Sequence, residues 1–380
     1  MTARKLRMGM VGGGPGAFIG PVHRIAAELD GKIELVAGAF SQSAERSKQA
    51  GDMYKLDPSR AYANFQAMLD AERSRPDAID FVAIVTPNHL HLPVAAAALK
   101  AGFPVMSDKP ATATYAEAVE LETAVTASGL PYGLTHTYAG YALVREARDL
   151  VASGKLGAIR KVAVEYLQGW LSQPIEKSGQ KQAAWRADPA LSGPGGCIGD
   201  IGVHAFHLAE YITGLKAIAL NANLLSVVPG RSVDDDCTAF LKLDNGATCV
   251  LMTSQIAAGE RNCLRIRVYG EAGSLEWHQE EPNRLYVKWQ DAPEEIRHAA
   301  GPYLGDSARA VTRLPGGHPE GYLEAFAVLY REFADALLQG KETGRVTLPE
   351  TLPGITAGVR GMRFIDRAIA SSQSKSWVDF

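Results

Sequence analysis

The first third of the chain alternates short apolar runs with segments whose apolar residues recur every three or four positions. The short runs predict strands at Leu6–Val11, Ile33–Ala39, Ile79–Val85, Phe103–Ser107 and Leu130–Leu134. Helices are predicted between them, from Ile19 to Leu29, over 91–101 and over 114–128. Because strands that alternate with helices form right-handed βαβ units, this pattern predicts a parallel sheet.

After about residue 137 the pattern changes to consecutive strand-like runs. Helices are predicted over 139–152, 198–213, 320–338 and 355–370. Strands are predicted over 159–168, 218–228, 236–243, 247–255, 263–270, 273–278 and 284–289. Such a series predicts an antiparallel or mixed sheet, and therefore a division into residues 1–136 and residues 137–380.

The composition is typical of a globular protein. The 380 residues include 39 basic and 42 acidic side chains, for a net charge of −3, and 46% are hydrophobic. A disordered or fibrous chain is excluded, and the length suits two domains. No nucleic-acid partner is expected, since such proteins usually carry a basic excess. The densest acidic run, Asp234–Asp236, is interpreted as a solvated turn.

The four cysteines contain no Cys-x-x-Cys pair, which favours a reducing compartment. The basic first residues lead into glycines rather than a long apolar run, so a signal peptide is not expected. No stretch approaches the roughly 20 apolar residues that a membrane span needs. The sequence predicts a soluble, cytoplasmic protein without a membrane partner.

A glycine-rich turn joins the first predicted strand to the first predicted helix. Gly12-x-Gly14-x-x-Ala17, followed by Phe18 and Ile19, has the context of a dinucleotide-binding turn. Its glycines let the backbone approach a pyrophosphate, which the helix N-terminus attracts. A turn without any ligand is the alternative.

The end of the second predicted strand bears on the choice of cofactor. An acidic residue there binds the ribose of NAD, but this chain has Ser41, Ser43 and Arg46 instead. These side chains predict binding of the 2′-phosphate of NADP, with Arg46 as the charged donor. The alternative is that Arg46 is a solvated residue on a helix face.

Three further motifs complete the pattern: Thr86-Pro-Asn-His-Leu-His91, Ser107-Asp-Lys-Pro110, and a glycine-rich segment that ends in Asp200-x-x-x-His204. With the N-terminal turn, they resemble the glucose–fructose oxidoreductase / inositol dehydrogenase / rhizopine-catabolism (Gfo/Idh/MocA) family over nearly the whole chain. The resemblance implies an α/β protein whose N-terminal Rossmann domain binds the dinucleotide. It also implies a C-terminal α/β domain for substrate binding and oligomerisation, with a large open, mainly antiparallel sheet.

The resemblance assigns site residues one by one. Lys109, Asp200 and His204 match the catalytic positions, whereas Asp108 stands where the family has a glutamate and His207 where it often has an aspartate. The stretch from Ser41 to Arg46 also resembles the phosphate-binding segment of NADPH-dependent 1,5-anhydrofructose reductases. The predicted cofactor contacts are Gly12, Gly14, Ala17, Phe18, Ile19, Ser41, Ser43, Arg46, Thr86, Pro87, Asn88, His91, Asp108 and Lys109.

The chemistry of these residues suits oxidation of a secondary alcohol. A histidine with a pKa near 6.5 can accept the hydroxyl proton, and a lysine can stabilise the developing alkoxide. Asp200 orients the imidazole or binds a neighbouring hydroxyl. The alternative is a metal site, because Asp200, His204 and His207 have ligand spacing on one helix face. We expect no metal, since Lys109 already supplies a positive charge.

Several other side chains are candidates for substrate contact, because aromatic faces stack on sugars and His or Arg bonds their hydroxyls. The predicted set is Lys109, His136, Tyr138, Trp170, Trp185, Arg186, Asp200, His204, His207 and His318. The segment 172–195, which contains Trp185 and Arg186, has a length typical of a functional lid.

The resulting hypothesis is an oxidoreductase that transfers a hydride between NAD(P), with NADP favoured, and a secondary CH–OH group of a sugar, glycoside or cyclitol. It is expected to form a homodimer or homotetramer through the C-terminal sheet. The alternatives are a regulatory protein that binds the cofactor without turnover and a metal-assisted alcohol dehydrogenase.

Overall fold

The two strand patterns of the sequence correspond to two separate sheets in two units of the chain. The computed structural model describes residues 4–380, apart from the side chain of Lys181. The first unit contains the residues up to Thr137 and Tyr322–Val359, and the second contains Tyr138–Gly321 and Arg360–Phe380. No helix in the described part of the chain is both long and apolar enough to cross a membrane.

In chain order, the helices are α1 (Ile19–Glu28), α2 (Ala44–Met53), α3 (Phe65–Arg73), α4 (His91–Lys100), α5 (Tyr115–Ser128), α6 (Ala142–Ala152), α7 (Lys181–Arg186), α8 (Pro189–Ser192), α9 (Val203–Thr213), α10 (Asp306–Val311), α11 (Tyr322–Thr343) and α12 (Ile355–Ser374).

A parallel sheet of five strands forms the centre of the first unit. Its strands are β1 (Leu6–Gly12), β2 (Ile33–Ala39), β3 (Phe81–Val85), β4 (Val105–Ser107) and β5 (Tyr132–Leu134). Their order is β2-β1-β3-β4-β5, and every neighbouring pair is parallel, which confirms the predicted fold class. The order reverses between β1 and β3, so the carboxyl ends of these strands flank the crevice where such sheets bind ligands.

The first unit includes a late segment of the chain that the predicted division at 136/137 assigned to the second domain. Phe326, Tyr330 and Phe333 of α11 are fully buried, and they share a hydrophobic core with β1 and β3. Phe333, for example, meets Phe81 of β3 edge to face, with ring centroids 5.3 Å apart. The apolar face of α11 thus completes the core of the parallel sheet, a long-range pairing that helical periodicity does not encode.

The second unit contains a sheet of nine strands in the order β13-β12-β11-β10-β6-β9-β8-β7-β14. These strands are β6 (Ile159–Leu167), β7 (Ala217–Leu225), β8 (Asp236–Leu243), β9 (Thr248–Ser254), β10 (Cys263–Gly270), β11 (Gly273–His278), β12 (Arg284–Trp289), β13 (Glu295–His298) and β14 (Val378–Asp379). Only β6 and β9 pair in parallel, so the sheet is mainly antiparallel as predicted. Helices α6 and α9 pack against one face of it.

The segment 172–195, whose length predicted a lid, is largely structured. It contains a short 3₁₀ turn, Ile175–Ser178, followed by α7 and α8. Arg231 fixes its beginning, because its guanidinium binds Glu176 at 3.0 Å and donates to the Leu171 carbonyl oxygen at 3.1 Å. The same guanidinium binds Asp235 at 3.0 Å, so the run Asp234–Asp236 is not the solvated turn predicted from the sequence.

Candidate active site

The glycine turn after β1 is packed too closely for side chains at two of its positions. Gly12 has a φ of +93°, and a Cβ there would lie 2.6 Å from the carbonyl oxygen of Val85. A Cβ on Gly14 would lie 2.5 Å from the carbonyl oxygen of Phe40, at the end of β2. The bare backbone at these positions is the feature that a dinucleotide-binding turn needs in order to approach a pyrophosphate.

The third small residue of the motif, Ala17, precedes the helix. Ala17 does not lie in the helix, because its N–H donates to the Gly14 carbonyl oxygen within the turn and α1 begins only at Ile19. The close approach belongs to Gly20, whose Cβ would lie 2.4 Å from the Gly13 Cα. Phe18 is 65% exposed just before the helix. Gly13 in the turn and Gly20 in the first turn of α1 are therefore close-contact residues that the motif Gly12-x-Gly14-x-x-Ala17 did not include.

The predicted phosphate-binding side chains cluster at the start of α2. Ser43 caps the helix by accepting the Arg46 N–H, and the Ser41 hydroxyl oxygen accepts the Ser43 N–H at 3.2 Å. The exposed Arg46 guanidinium donates to the Pro15 carbonyl oxygen in the glycine turn at 3.4 Å. The structure thus brings Arg46 beside the glycine turn.

The motif after β3 contains one fully buried histidine. Thr86, Pro87 and Asn88 follow the strand directly, at the crevice edge of the sheet. His91, only 1% exposed, has its Nδ1 2.7 Å from the Pro110 carbonyl oxygen and its Nε2 2.9 Å from the Thr86 carbonyl oxygen. Both ring nitrogens lie within hydrogen-bond distance of backbone carbonyl oxygens, so His91 links the segments after β3 and β4, and its contact with a cofactor stays a prediction.

Asp108, Lys109 and Pro110 follow β4 at the same edge, and the bond between Lys109 and Pro110 is cis. The Asp108 carboxylate accepts the Lys109 N–H at 2.8 Å and the Thr135 hydroxyl at 3.0 Å. Burial raises the pKa of Asp108, but His23, Lys109 and His91 together outweigh burial and hold this pKa well below its usual range. Asp108 is therefore a carboxylate beside the candidate catalytic lysine.

His23 is a residue of this site that the sequence analysis missed. It lies in α1 with no exposed surface, its Nδ1 is 2.7 Å from the Tyr330 hydroxyl, and its Nε2 is 3.8 Å from Asp108 Oδ1. If the Tyr330 hydroxyl donates to Nδ1, the proton of a neutral ring is on Nε2 and faces Asp108. A single histidine in an apolar helix gives no sequence signal for such a contact.

Asp200 has several polar neighbours in the second unit. It lies in the π-helical turn Ile198–Gly202, directly before α9. Its Oδ2 accepts from Arg186 Nε at 3.1 Å and from Gln255 Nε2 at 2.9 Å. The Arg186 guanidinium also stacks over the Trp185 ring, 4.4 Å from its centroid. The structure thus joins three predicted residues and adds Gln255, which the sequence analysis missed.

His204 lies in the first turn of α9 and is 7% exposed. The Tyr138 ring meets its ring edge to face at a centroid distance of 4.9 Å. Burial raises the pKa of Tyr138 well above its usual value, so its phenol stays protonated and contacts the Tyr166 hydroxyl.

The Tyr166 hydroxyl also belongs to a series of side-chain hydrogen bonds in the second unit. It donates to Asn262 Oδ1 at 2.7 Å, and the same oxygen accepts from Gln168 Nε2 at 2.7 Å. Gln168 in turn accepts from Trp170 Nε1 at 2.9 Å. The predicted residues Tyr138, Trp170 and His204 therefore belong to one polar and aromatic cluster.

His207 does not form a metal-binding group with Asp200 and His204. Burial and the positive charges of Lys216 and Arg148 lower the pKa of His207 to about 3, and its ring stacks on Tyr211. No group of three or more His, Cys, Asp or Glu side chains among the described residues is arranged to hold a metal ion. The five-residue turn Ile198–Gly202 changes the spacing on which the alternative metal trio depended.

Two further predicted substrate contacts are His136 and His318. His136 follows β5 in the first unit and is 1% exposed. His318 is exposed in the second unit, and its Nδ1 lies 3.2 Å from the Pro315 carbonyl oxygen. Substrate binding by these two residues stays a prediction.

The chain is similar to known proteins over its full length. Residues 6–136 match an oxidoreductase family with an NAD-binding Rossmann fold, and residues 144–276 match the GFO/IDH/MocA C-terminal domain. The chain is 34% identical to the uncharacterized oxidoreductase YfiI of Bacillus subtilis, over 100% of this chain and 98% of YfiI.

Solved structures are also similar to this chain over its full length. Two crystal structures of an inositol dehydrogenase homolog from Azotobacter vinelandii have TM-scores of 0.95 and 0.92 at 35% identity. Each alignment covers 100% of this chain and 98% of the other. The first structure is complexed with NAD+, and the second with NADH and myo-inositol.

Proposed function

We propose that Lys109, Asp200 and His204 carry out the reaction of this chain. The chain belongs to the GFO/IDH/MocA family and is an NAD(P)-dependent oxidoreductase of sugars or cyclitols. The reaction moves a hydride to or from a carbon that bears a secondary hydroxyl. NAD(P), when bound, supplies the nicotinamide that accepts or donates this hydride. Catalysis by the chain itself then consists of binding, orientation and proton transfer.

The observation that carries this proposal is the convergence of motifs at one edge of the parallel sheet. The bare backbone at Gly12 and Gly14, the segment after β3 and the Asp108–Lys109 pair all follow strand carboxyl ends. This is the edge at which open α/β sheets bind their ligands. A pyrophosphate therefore fits the turn after β1, and Lys109 belongs to the same unit as that turn.

In the proposed mechanism His204 takes the hydroxyl proton during oxidation and returns it during reduction. Asp200, held by Arg186 and Gln255, orients the substrate or the imidazole through its carboxylate. Lys109 stabilises the negative charge that develops on the reacting oxygen. The proposed substrate contacts are those predicted from the sequence, with Trp185 and Arg186 supported by their link to Asp200.

We further propose that the site prefers NADP. The supporting geometry is the absence of a carboxylate from residues 39–43 and the presence of Arg46 beside the glycine turn. The homolog from Azotobacter vinelandii is complexed with NAD+, which makes cofactor choice a property to be measured on this chain.

The quaternary structure is proposed from the outward face of the nine-stranded sheet. The strand register places five apolar side chains that are 37–50% exposed on this one face. They are Leu225, Phe240, Met252, Tyr269 and Ile296. Such a face suits a homodimer or homotetramer, and sedimentation of the purified protein measures this directly. A cytoplasmic location also stays a prediction, based on the four free thiols.

A cofactor-reduction assay tests the proposed function. We expect nicotinamide absorbance to change when the protein is mixed with NADP+ or NAD+ and a panel of inositols, hexoses and glycosides, with myo-inositol as the first probe. His204→Ala should lower turnover by about 10²–10⁴-fold, the usual contribution of a positioned base. Full turnover in that variant would exclude His204 as the base, and no turnover of any polyol would favour a regulatory protein.

A further inference from the structure

Three consecutive backbone N–H groups at the start of the segment that carries Asp200 are bound by one residue. The Asp234 carboxylate accepts the Gly196 N–H and the Ile198 N–H, both at 2.7 Å, through its two different oxygens. The Asp234 carbonyl oxygen accepts the intervening Cys197 N–H at 2.8 Å. The first N–H groups of a helical segment have no acceptor within it. Asp234 supplies acceptors for these three N–H groups.

The backbone at Gly196 allows the close approach that these contacts need. A Cβ on Gly196 would lie 2.2 Å from the Asp234 carbonyl oxygen, so only glycine allows this approach. The Asp200 N–H then donates to the Gly196 carbonyl oxygen at 2.9 Å, and the π-helical turn leads into α9 with His204. Asp234 therefore holds the beginning of the segment whose next residues are Asp200 and His204.

We propose that Asp234 is a positioning residue. It holds the 196–204 segment so that Asp200 and His204 lie in the geometry that their proposed roles require. The inference rests on the proposed roles of those two residues. Asp234 itself is assigned no contact with reacting atoms or substrate, and it acts through the backbone N–H groups that it binds.

The charge of Asp234 matters for this role. An ionised carboxylate accepts with both oxygens, whereas a protonated one loses acceptor strength at the oxygen that carries the proton. Loss of solvation raises the pKa of Asp234 to about 6 despite its N–H contacts, and Asp235 adds to this effect. The other titratable or charged groups nearby are Arg231, which binds Asp235, and the residues Cys197, Cys237, Asp236 and Asp200.

The test compares Asp234→Asn with Asp236→Asn, a control from the same acidic run. In Asp234→Asn, the side-chain NH₂ faces one of the two backbone N–H groups and cannot accept from it. We expect hydrogen exchange of residues 196–198 to become at least tenfold faster and kcat to fall about tenfold, with the cofactor dissociation constant unchanged. Asp236→Asn should match the wild type in all three measurements.

A pH series on the wild type provides a second measurement that does not depend on the variant folding. Protection of the 196–198 amides, corrected for intrinsic exchange, should fall as the pH is lowered from 7.5 through about 6 to 5. Constant protection over this range would overturn the proposal.

The variant results are equally decisive. Equal exchange in both variants would overturn the proposal, and so would faster exchange in Asp234→Asn with unchanged kcat, which would make the contact structural only. Failure of the assigned catalytic roles is a separate result: it would appear as full turnover in His204→Ala, whereas the exchange data still report on Asp234.

Discussion

Asp200 shows how single residues acquire a defined geometry in this protein. Its carboxylate oxygen accepts from the permanently charged Arg186 and from the buried amide of Gln255, so two donors fix one acceptor. Arg186 is itself held by Gln182 at 2.7 Å and by the Trp185 ring at 4.4 Å. A carboxylate restrained in this way can orient a hydroxyl or an imidazole without losing much entropy on substrate binding.

Replacing Gln255 by Leu should therefore lower kcat about tenfold. The substitution removes a donor to Asp200, and a lost hydrogen bond to a charged group costs about 1.5–3 kcal/mol. Steady-state kinetics measure the effect, and Gln290→Leu at an exposed position serves as the matched control. Equal kcat values in the two variants would show that Asp200 does not depend on Gln255.

Replacing Lys109 by Met should lower kcat by about 10²–10⁴-fold while the cofactor dissociation constant changes little. The loss follows from removing the group that we propose stabilises charge on the reacting oxygen. Lys100→Met, at the exposed end of α4, controls for the loss of a lysine. Parallel losses of kcat and of cofactor binding in Lys109→Met would instead indicate a role in holding the cofactor.

Motifs in the sequence identify the proposed catalytic residues, but not the residues that contact them. Asp200, His204 and Lys109 occur in recognisable spacings, and Trp185-Arg186 stood out as an aromatic and basic pair. Gln255 and His23 are single residues whose function depends on a partner far along the chain, 55 residues away for Gln255 and Asp200. No local pattern encodes such a pairing.

Among the elements, those rich in apolar residues were predicted best. β2 has the predicted bounds, and β1 and α5 differ from them by one residue. α2 and α3 were not predicted, because α2 buries only Ser47, Ala50 and Gly51, which gives it no apolar stripe. Short capped helices of this kind begin at side-chain caps, Ser43 for α2 and Asn64 for α3, which are weak signals beside hydrophobic spacing.

The junction of β2 and α2 should determine the cofactor. A charge-assisted bond from Arg46 to a 2′-phosphate is worth about 1.5–3 kcal/mol, so we expect kcat/KM to favour NADP over NAD at least tenfold. Ser41→Asp should reverse this preference, because a carboxylate repels the phosphate and accepts from the ribose hydroxyls. The kcat/KM values for both cofactors decide the matter. Equal values, or a preference for NAD in the wild type, would contradict the proposed phosphate pocket.

At the scale of the whole molecule, the half-buried His207 links stability to pH. The pKa of His207 is lowered to about 3 in the folded chain, against about 6.5 when unfolded. Between these values the unfolded state binds more protons, so this histidine makes the free energy of unfolding fall as the pH is lowered below about 6.5.

His207→Gln should reduce that loss. Between pH 7.5 and 5.0 the free energy of unfolding of the variant should fall by about 1–2 kcal/mol less than that of the wild type. Urea denaturation at the two pH values measures the difference, with His298→Gln at an exposed position as the control. An identical pH dependence in the wild type and His207→Gln would mean that His207 is accessible to protons in the folded chain.

Hydride transfer itself can be followed with an isotope. A polyol that the protein turns over is labelled with deuterium at its secondary CH–OH carbons and incubated with the oxidised cofactor, and the reduced cofactor is examined by mass spectrometry and NMR. We expect one deuterium on the nicotinamide C4, on a single face, and none when Lys109→Met and His204→Ala are combined. Reduced cofactor without deuterium, or with label on both faces, would contradict direct transfer from a secondary alcohol carbon.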